Sequence, residues 1–328
     1  MELKKYLPVL FMAVTINSNM AQSVDCYKEV DRIVWIVADL QEVIRGWQAL
    51  GFTDISDYGA ATLLIRNAGE IDVNIASANF GGARITWIQP VSKDNPFSTF
   101  LDAGGDGAFG LMHRVSSVDA LQQESLRLKR AGVGILLEGN ISTEEGLVNF
   151  VFFDTQKDGK YALGLITGPD DMKQLSGQNQ LGMKFAQFAF AIQDPEPVSA
   201  YWAGLDFPPF EITHGETWGK QYYGNPAEFD MELGWQRHGN IVYEWCIPLK
   251  GPTVYEDHIK LHGEGIQHLG FNVADMDQTI RFFEDRGFDI SMSGGWGDKG
   301  KPGSGRFAYV NTEKIGGETI ELLWSYKN

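Results

Sequence analysis

The chain has 328 residues, 43% of them hydrophobic, and its 43 acidic residues outnumber 27 Lys and Arg for a formal net charge of −16. So acidic a surface repels phosphate backbones and anionic lipid, which argues against nucleic-acid binding and polybasic membrane attachment. The length is enough for two hydrophobic cores. In chain order, Lys4 and Lys5 precede an apolar run over residues 6–16, then polar residues 17–19 and Ala21. This is the layout of a secretory signal peptide over residues 1–21, which predicts export to a periplasm or the outside. Pro8 interrupts the run, and an ordinary N-terminal helix is the alternative. No later stretch is apolar for long enough to span a bilayer, so no membrane insertion is expected once the leader is removed.

Four segments then repeat one pattern, starting at Arg32, His113, Gln187 and His268. Each opens with a short alternating run, followed by Val37, Val118, Ile192 or Val273 and an acidic residue: Asp39, Asp119, Asp194 or Asp275. A carboxylate there accepts the free N–H groups of a helix's first turn, so each is read as an N-cap. Helical spacing follows, as in Ile280, Phe282 and Phe283. Three helices stop at Gly51, Gly132 and Gly287, where a left-handed residue suits glycine, and Asp206 holds the place in the third. Runs such as ITWIQP, YALGLIT, IVYEWCIP and TIELLW then read as strands. The unit is strand, helix and about three strands, recurring every 75 to 80 residues or so, which fits four small α+β modules rather than a solenoid. A half-exposed sheet buries itself against a neighbour, so the modules are expected to pair. Residues 22–167 would form one domain, residues 168–182 a polar linker, and residues 183–328 a second domain.

Equivalent positions of the repeat carry the chemistry. The first strand's opening residue and its match on the last strand give Arg32 with Thr86, His113 with Gly164, Gln187 with Glu244, and His268 with Glu321. If modules three and four face each other by a pseudo-twofold, an amide, two carboxylates and an imidazole converge in one cleft. That set suits one divalent ion such as Zn, Ni, Co, Mn or Fe, whereas a closed structural zinc site would use thiolates. Solvent-facing edge-strand glutamates are the bland alternative, but apolar Val242, Trp245, Ile320 and Leu322 flank the two acids. The first half lacks plausible ligands and reads as a degenerate scaffold, with His113 structural.

Other motifs are weaker. His258 and His262 lack the intervening Glu of an HExxH pair and sit at a helix end before Gly263. The glycine-rich stretch over residues 294–306, with Trp296 and Arg306, reads as a hairpin or lid over the cleft rather than a phosphate loop. Trp218, Tyr222 and Tyr223 occupy the matching hairpin of module three. These five are the candidate walls of a substrate pocket. Two cysteines, Cys26 and Cys246, permit a disulfide without establishing one.

The four-module layout resembles the vicinal oxygen chelate superfamily, which includes glyoxalases, methylmalonyl-CoA epimerase, extradiol dioxygenases and bleomycin-resistance proteins. Residues 246–278 are similar to the epimerase-type glyoxalase group, while the ligand order Gln187, Glu244, His268, Glu321 looks more like lactoylglutathione lyase. The resemblance implies four βαβββ modules paired into two domains and a metal chelating two neighbouring substrate oxygens. It implies an enediolate formed by proton removal beside a carbonyl, with Glu244 or Glu321 moving the proton. A metal-dependent isomerase, epimerase or lyase acting on a small molecule, as a monomer or homodimer, is therefore expected. The alternatives are a ring-cleaving extradiol-type dioxygenase, against which the single imidazole counts, and a non-catalytic small-molecule-binding protein.

Overall fold

The structure, a computed structural model, describes residues 25–326; the expected leader over residues 1–21 lies outside them. The first module comprises β1 (Arg32–Ile36), helix α1 (Leu40–Ala49), β2 (Ile55–Ile65), β3 (Gly69–Phe80) and β4 (Ala83–Pro90). Helix α2 (Pro96–Gly104) leads to the second module: β5 (Gly107–Arg114), α3 (Val118–Arg130), β6 (Ile135–Thr143), β7 (Gly146–Phe153), the single turn α4 (Gln156–Gly159) and β8 (Ala162–Thr167). The third has β9 (Lys184–Ala191), α5 (Pro195–Ala203), β10 (Glu211–Thr213), a hairpin of β11 (Thr217–Tyr222) and β12 (Asn225–Pro226), then β13 (Asp230–His238) and β14 (Ile241–Lys250). Helix α6 (Val254–His262) leads to the fourth: β15 (Gly265–Asn272), α7 (Met276–Glu284), β16 (Ile290–Trp296), β17 (Gly305–Val310) and β18 (Thr319–Ser325).

The module helices begin and end alike because the same chemistry recurs. Asp39, Asp194 and Asp275 cap α1, α5 and α7, accepting from the backbone N–H of Glu42, Glu196 and Gln278. The second module differs from the sequence reading. Ser117, not Asp119, caps α3 by accepting from Ala120 N–H, and Asp119 lies within the first turn, where its charge still favours the helix dipole. At the far ends Gly51, Gly132 and Gly287 take φ of 79°, 91° and 75°, and Asp206 adopts 71° in the same place. Aspartate tolerates this left-handed geometry better than most residues, and its carboxylate here is held by Arg127 at 2.8 Å. The next residue (Phe52, Val133, Phe207 or Phe288) donates its N–H to Trp47, Leu128, Trp202 or Phe283, closing each helix in the same way.

The strands form two curled sheets, an α+β architecture. In the N-terminal half they close into a barrel of order β1-β4-β3-β2-β6-β7-β8-β5. The C-terminal half makes a ten-stranded sheet, β10-β13-β14-β9-β15-β18-β17-β16-β11-β12. Its hairpin β11–β12 leaves the third module to pair with β16 of the fourth, wrapping the concave face.

One apolar cluster contains the helices and outer sheet faces of both halves. The Trp47 indole donates to the Ile315 carbonyl at 3.0 Å and that of Trp202 to Gly159 at 3.1 Å, while Trp202 stacks on Tyr161. Module one therefore backs onto module four, and module two onto module three. Separate clusters line the barrel interior and the concave face of the second sheet. The polar segment over residues 168–182 is well anchored: Asp170 pairs with Arg84, Asp171 with Arg32, and Met172 is buried. No disulfide joins Cys26 to Cys246. Among the described residues no helix is long and apolar enough to cross a membrane.

Candidate metal centre

Sheet register brings four side chains from four strands to one point. Strand β9 lies between β14 and β15, with Ala189 beside both Glu244 and His268, and Gly270 beside both Gln187 and Glu321. The side chains of Gln187, Glu244, His268 and Glu321 thus project from the concave face, and all four residues are buried. Gly270 makes room for the amide, since a Cβ there would sit 2.6 Å from Gln187 Cγ.

The carboxylates face each other across the imidazole. His268 Nε2 lies 3.3 Å from Glu244 Oε2 and 3.3 Å from Glu321 Oε2, yet makes no aligned hydrogen bond to either. Gln187 Nε2 donates to Glu244 Oε2 at 2.7 Å and to Glu321 Oε2 at 3.1 Å. A half-turn of the amide would point its oxygen inward instead. Burial and then repulsion from Glu321 push the Glu244 carboxyl up. Burial opposes a charge on His268, but the two glutamates outweigh it and hold the ring at about 9. The two buried acids thus favour the charged form of the imidazole between them.

Supporting residues that sequence reasoning missed complete the centre. Gln267 Oε1 lies 2.6 Å from His268 Nδ1; by accepting that N–H it orients Nε2 toward the carboxylates, a common arrangement behind metal-ligating histidines. The Tyr255 and Tyr309 hydroxyls meet at 2.6 Å, with Tyr309 edge-on to the His268 ring at 5.0 Å. Cys246, two residues along β14 from Glu244, places its sulfur within 4.8 Å of the Glu244 and His268 donor atoms, and those three can also hold a metal ion. Burial, followed by the charges of Glu244 and Glu321, raises the thiol's pKa well above its usual value, so it is neutral beside them. The alternation of β14 was a visible signal for Cys246. Tyr309 faces Glu321 across the β17–β18 pair, a relation that required the register.

Gln187, Glu244 and Glu321 form the floor of a cavity of about 830 Å³, which the fully buried His268 does not line. Trp218, Trp235, Trp296 and Phe307 wall it, and the residue 297–299 hairpin tip closes one side, with the Lys299 ammonium 5.0 Å from the Trp218 ring. Of the five expected wall residues, Trp218 and Trp296 are here and three are elsewhere. Tyr222 and Tyr223 border a separate groove, Tyr222 bonding Asp257 at 2.6 Å, because the register of β11 shifts between Trp218 and Gln221. Arg306 alternates with cavity-lining Phe307 on β17 and pairs with Asp277 at 2.8 Å on the other side of the sheet.

In the first half the equivalent positions are Arg32, Thr86, Gly110 and Gly164. Arg32, Gly110, Gln187 and His268 each precede their N-caps, Asp39, Ser117, Asp194 and Asp275, by the same interval. Gly110 pairs with Val34 and Gly164 with Met112, matching His268 with Ala189 and Glu321 with Gly270. His113, aligned with His268 in the repeat and read as structural, points into the outer core. Its Nδ1 lies 2.7 Å from the Glu29 carbonyl and its ring packs edge-on to Tyr27. His258 and His262 are neighbours near the end of α6, their rings tilted at 38° with centroids 5.0 Å apart, and stand outside the four-donor set.

Residues 186–309 match the profile of the Glyoxalase/Bleomycin resistance protein/Dioxygenase superfamily. No curated protein sequence matches the chain. Among solved structures, a mutant 4-hydroxymandelate synthase from Streptomyces coelicolor is similar in fold, with TM-score 0.59 and 15% identity over 92% of this chain and 94% of that one. A Mn(II)-bound glyoxalase from Novosphingobium aromaticivorans gives 0.46 and 12% over 92% and 83%, and methylmalonyl-CoA epimerase from Mycobacterium tuberculosis gives 0.32 and 22% over 43% and 87%. The C-terminal half thus matches the family model of the glyoxalase/bleomycin resistance protein/dioxygenase superfamily, and the paired-module fold of the whole chain is similar to that of the solved 4-hydroxymandelate synthase.

Proposed function

We propose that Gln187, Glu244, His268 and Glu321 hold one divalent metal ion, and that the protein is an isomerase, epimerase or lyase acting beside the carbonyl of a small α-oxygenated compound. The observation that supports this is His268 Nε2, fully buried without an aligned partner between two carboxylates, Glu244 and Glu321, that themselves line the floor of an open cavity. A divalent ion fits this donor set in charge and in oxygen and nitrogen character, with Zn, Ni, Co, Mn and Fe all compatible. Bound there, it supplies Lewis acidity to a carbonyl whose neighbouring C–H is losing its proton.

The chain's own groups do the rest. Gln187 turns its amide oxygen inward, and Gln267 keeps His268 in the tautomer that presents Nε2. Glu321 shares a module and a strand pair with His268 and serves as the fixed ligand. Glu244, on the opposite half of the sheet, takes the substrate proton and returns it. The aromatic walls exclude water from the charge that develops at the carbonyl. With residues 1–21 read as an export leader, the substrate is a small extracytoplasmic metabolite rather than a glutathione or CoA thioester.

Metal analysis of purified protein beside His268→Ala and Glu321→Ala tests the site: about one divalent ion per chain is expected, and none in either variant. Metal-free wild type would replace this reading with that of a binding protein. Deuterium incorporation from D₂O into α-hydroxy or α-keto acids tests the chemistry, whereas oxygen consumption with a catechol would move the protein to the dioxygenases.

A further inference from the structure

The N-terminal barrel encloses a cavity of about 600 Å³ that the reading above does not use. Its walls are largely apolar, built by Val34, Leu63, Ile75, Met112, Phe150 and Phe152. At one end stands Arg32, whose side chain is 5% exposed. Its Nε is tied to Asp31 at 2.7 Å, and its outer edge grips Asp171 through Nη1 at 3.0 Å and Nη2 at 2.6 Å, with Thr86 Oγ1 at 3.4 Å. This two-point geometry is how guanidinium recognises a carboxylate.

The carboxylate in that grip does not belong to the barrel. Asp171 sits on the strap between the two halves, which crosses the cavity mouth and lines it with Gln174 and Leu175. The barrel itself contributes Arg32, Arg84 and Arg114 around the single Asp31, and the strap supplies Asp170 and Asp171 in compensation. Among the strap's anchors, Tyr58 Oη donates to the Asp171 carbonyl and Asn79 to that of Leu175.

We propose that the barrel is a second ligand site, for a small monocarboxylic acid with an aromatic or branched apolar body, and that Asp171 is its intramolecular occupant. The ligand's carboxylate takes the Arg32 edge as Asp171 withdraws, and its body enters the apolar end. The exchange replaces one carboxylate by another, so the buried guanidinium is never left without a partner. No covalent step is involved, and the site is independent of the metal reading.

The probe is 3-phenylpropanoate, titrated into full-length protein carrying ¹³C-methyl methionine. Met112 lines the barrel cavity, Met172 rides on the strap and Met231 lines the C-terminal cavity, so the three methyls report which site fills. Saturable shifts of Met112 and Met172 are expected, with Met231 unmoved. Asp171→Asn removes the competing charge and should tighten binding about tenfold, the change expected if the strap is open in about a tenth of wild-type molecules. Arg32→Gln should abolish binding, and 3-phenylpropanamide should bind at least tenfold more weakly, as a neutral ligand loses the charge-assisted pair. Asp171→Asn keeps side-chain size, so the test survives if Arg32→Gln does not fold. Unchanged affinity in Asp171→Asn, equal binding of the amide, or shifts confined to Met231 would each overturn the proposal.

Discussion

The barrel and the ten-stranded sheet hold the same four positions, filled in one by Arg32, Thr86, Gly110 and Gly164 and in the other by Gln187, Glu244, His268 and Glu321. Both halves bury acid at or beside these positions: Asp31 in one, the two glutamates in the other. The barrel neutralises it with a guanidinium fixed to the chain; the sheet surrounds its pair with an imidazole and an amide. A covalently attached cation needs no exchangeable one. The difference sets a buried four-donor cluster against a sister site closed by salt bridges.

The sharpest way to break the comparison is Gln187→Arg, which gives the C-terminal centre the barrel's cation. Metal content should fall from about one ion per chain to none, read by elemental analysis, with the far-ultraviolet circular dichroism unchanged. Retained metal would mean that Gln187 lies outside the coordination sphere. Next in size is Arg32→Met, which leaves Asp31 and Asp171 without the Arg32 guanidinium. Denaturant unfolding should show a loss of about 3–5 kcal/mol, the usual consequence of removing one member of a buried ion pair, and a loss under 1 kcal/mol would count against the guanidinium as the barrel's keystone.

The smallest effect is a pH dependence. Burial alone would push Asp31 up, but Arg32 and Arg114 outweigh it and hold the carboxyl at about 2, below its ordinary 3.8. A depressed carboxylate contributes stability that is present above the unfolded value and lost as pH falls toward the folded one. Wild type should therefore lose about 1 kcal/mol from this group between pH 5 and pH 3. Asp31→Asn should lack that component, so its stability should fall by about that much less over the same interval, measured by urea unfolding.

Local chemistry was legible in the sequence and long-range register was not. Asp39, Asp194 and Asp275 declare themselves as caps, and the left-handed Asp206 follows from its place in the repeat, because both depend only on neighbours along the chain. The second module was misaligned because His113 looks like His268 and Asp119 like Asp275. The register of β1 against β5 shifts between Val34 and Trp35, and nothing in the sequence marks that irregularity. Gly110 is thus the true counterpart of His268, and it cannot simply accept a side chain: a Cβ there would fall 2.1 Å from the Ala162 carbonyl oxygen. The four donors were readable because Gln187 and His268 precede their caps by the same interval and Glu244 and Glu321 lie on the matching last strands of their modules. Gln267, Tyr255 and Tyr309 were not, since their relation to His268 is set by α6 and by sheet pairing. Tyr222, Tyr223 and Arg306 were misplaced for the same reason.

The indoles of Trp47 and Trp202 each reach a carbonyl of the opposite half, and this has a consequence for dissection of the gene. A fragment starting at residue 183 would expose Trp202, Val198 and Phe207, which belong to the shared interior, as an aggregation-prone surface. The salt-bridged half therefore supplies the other with an apolar wall, whatever its own cavity binds.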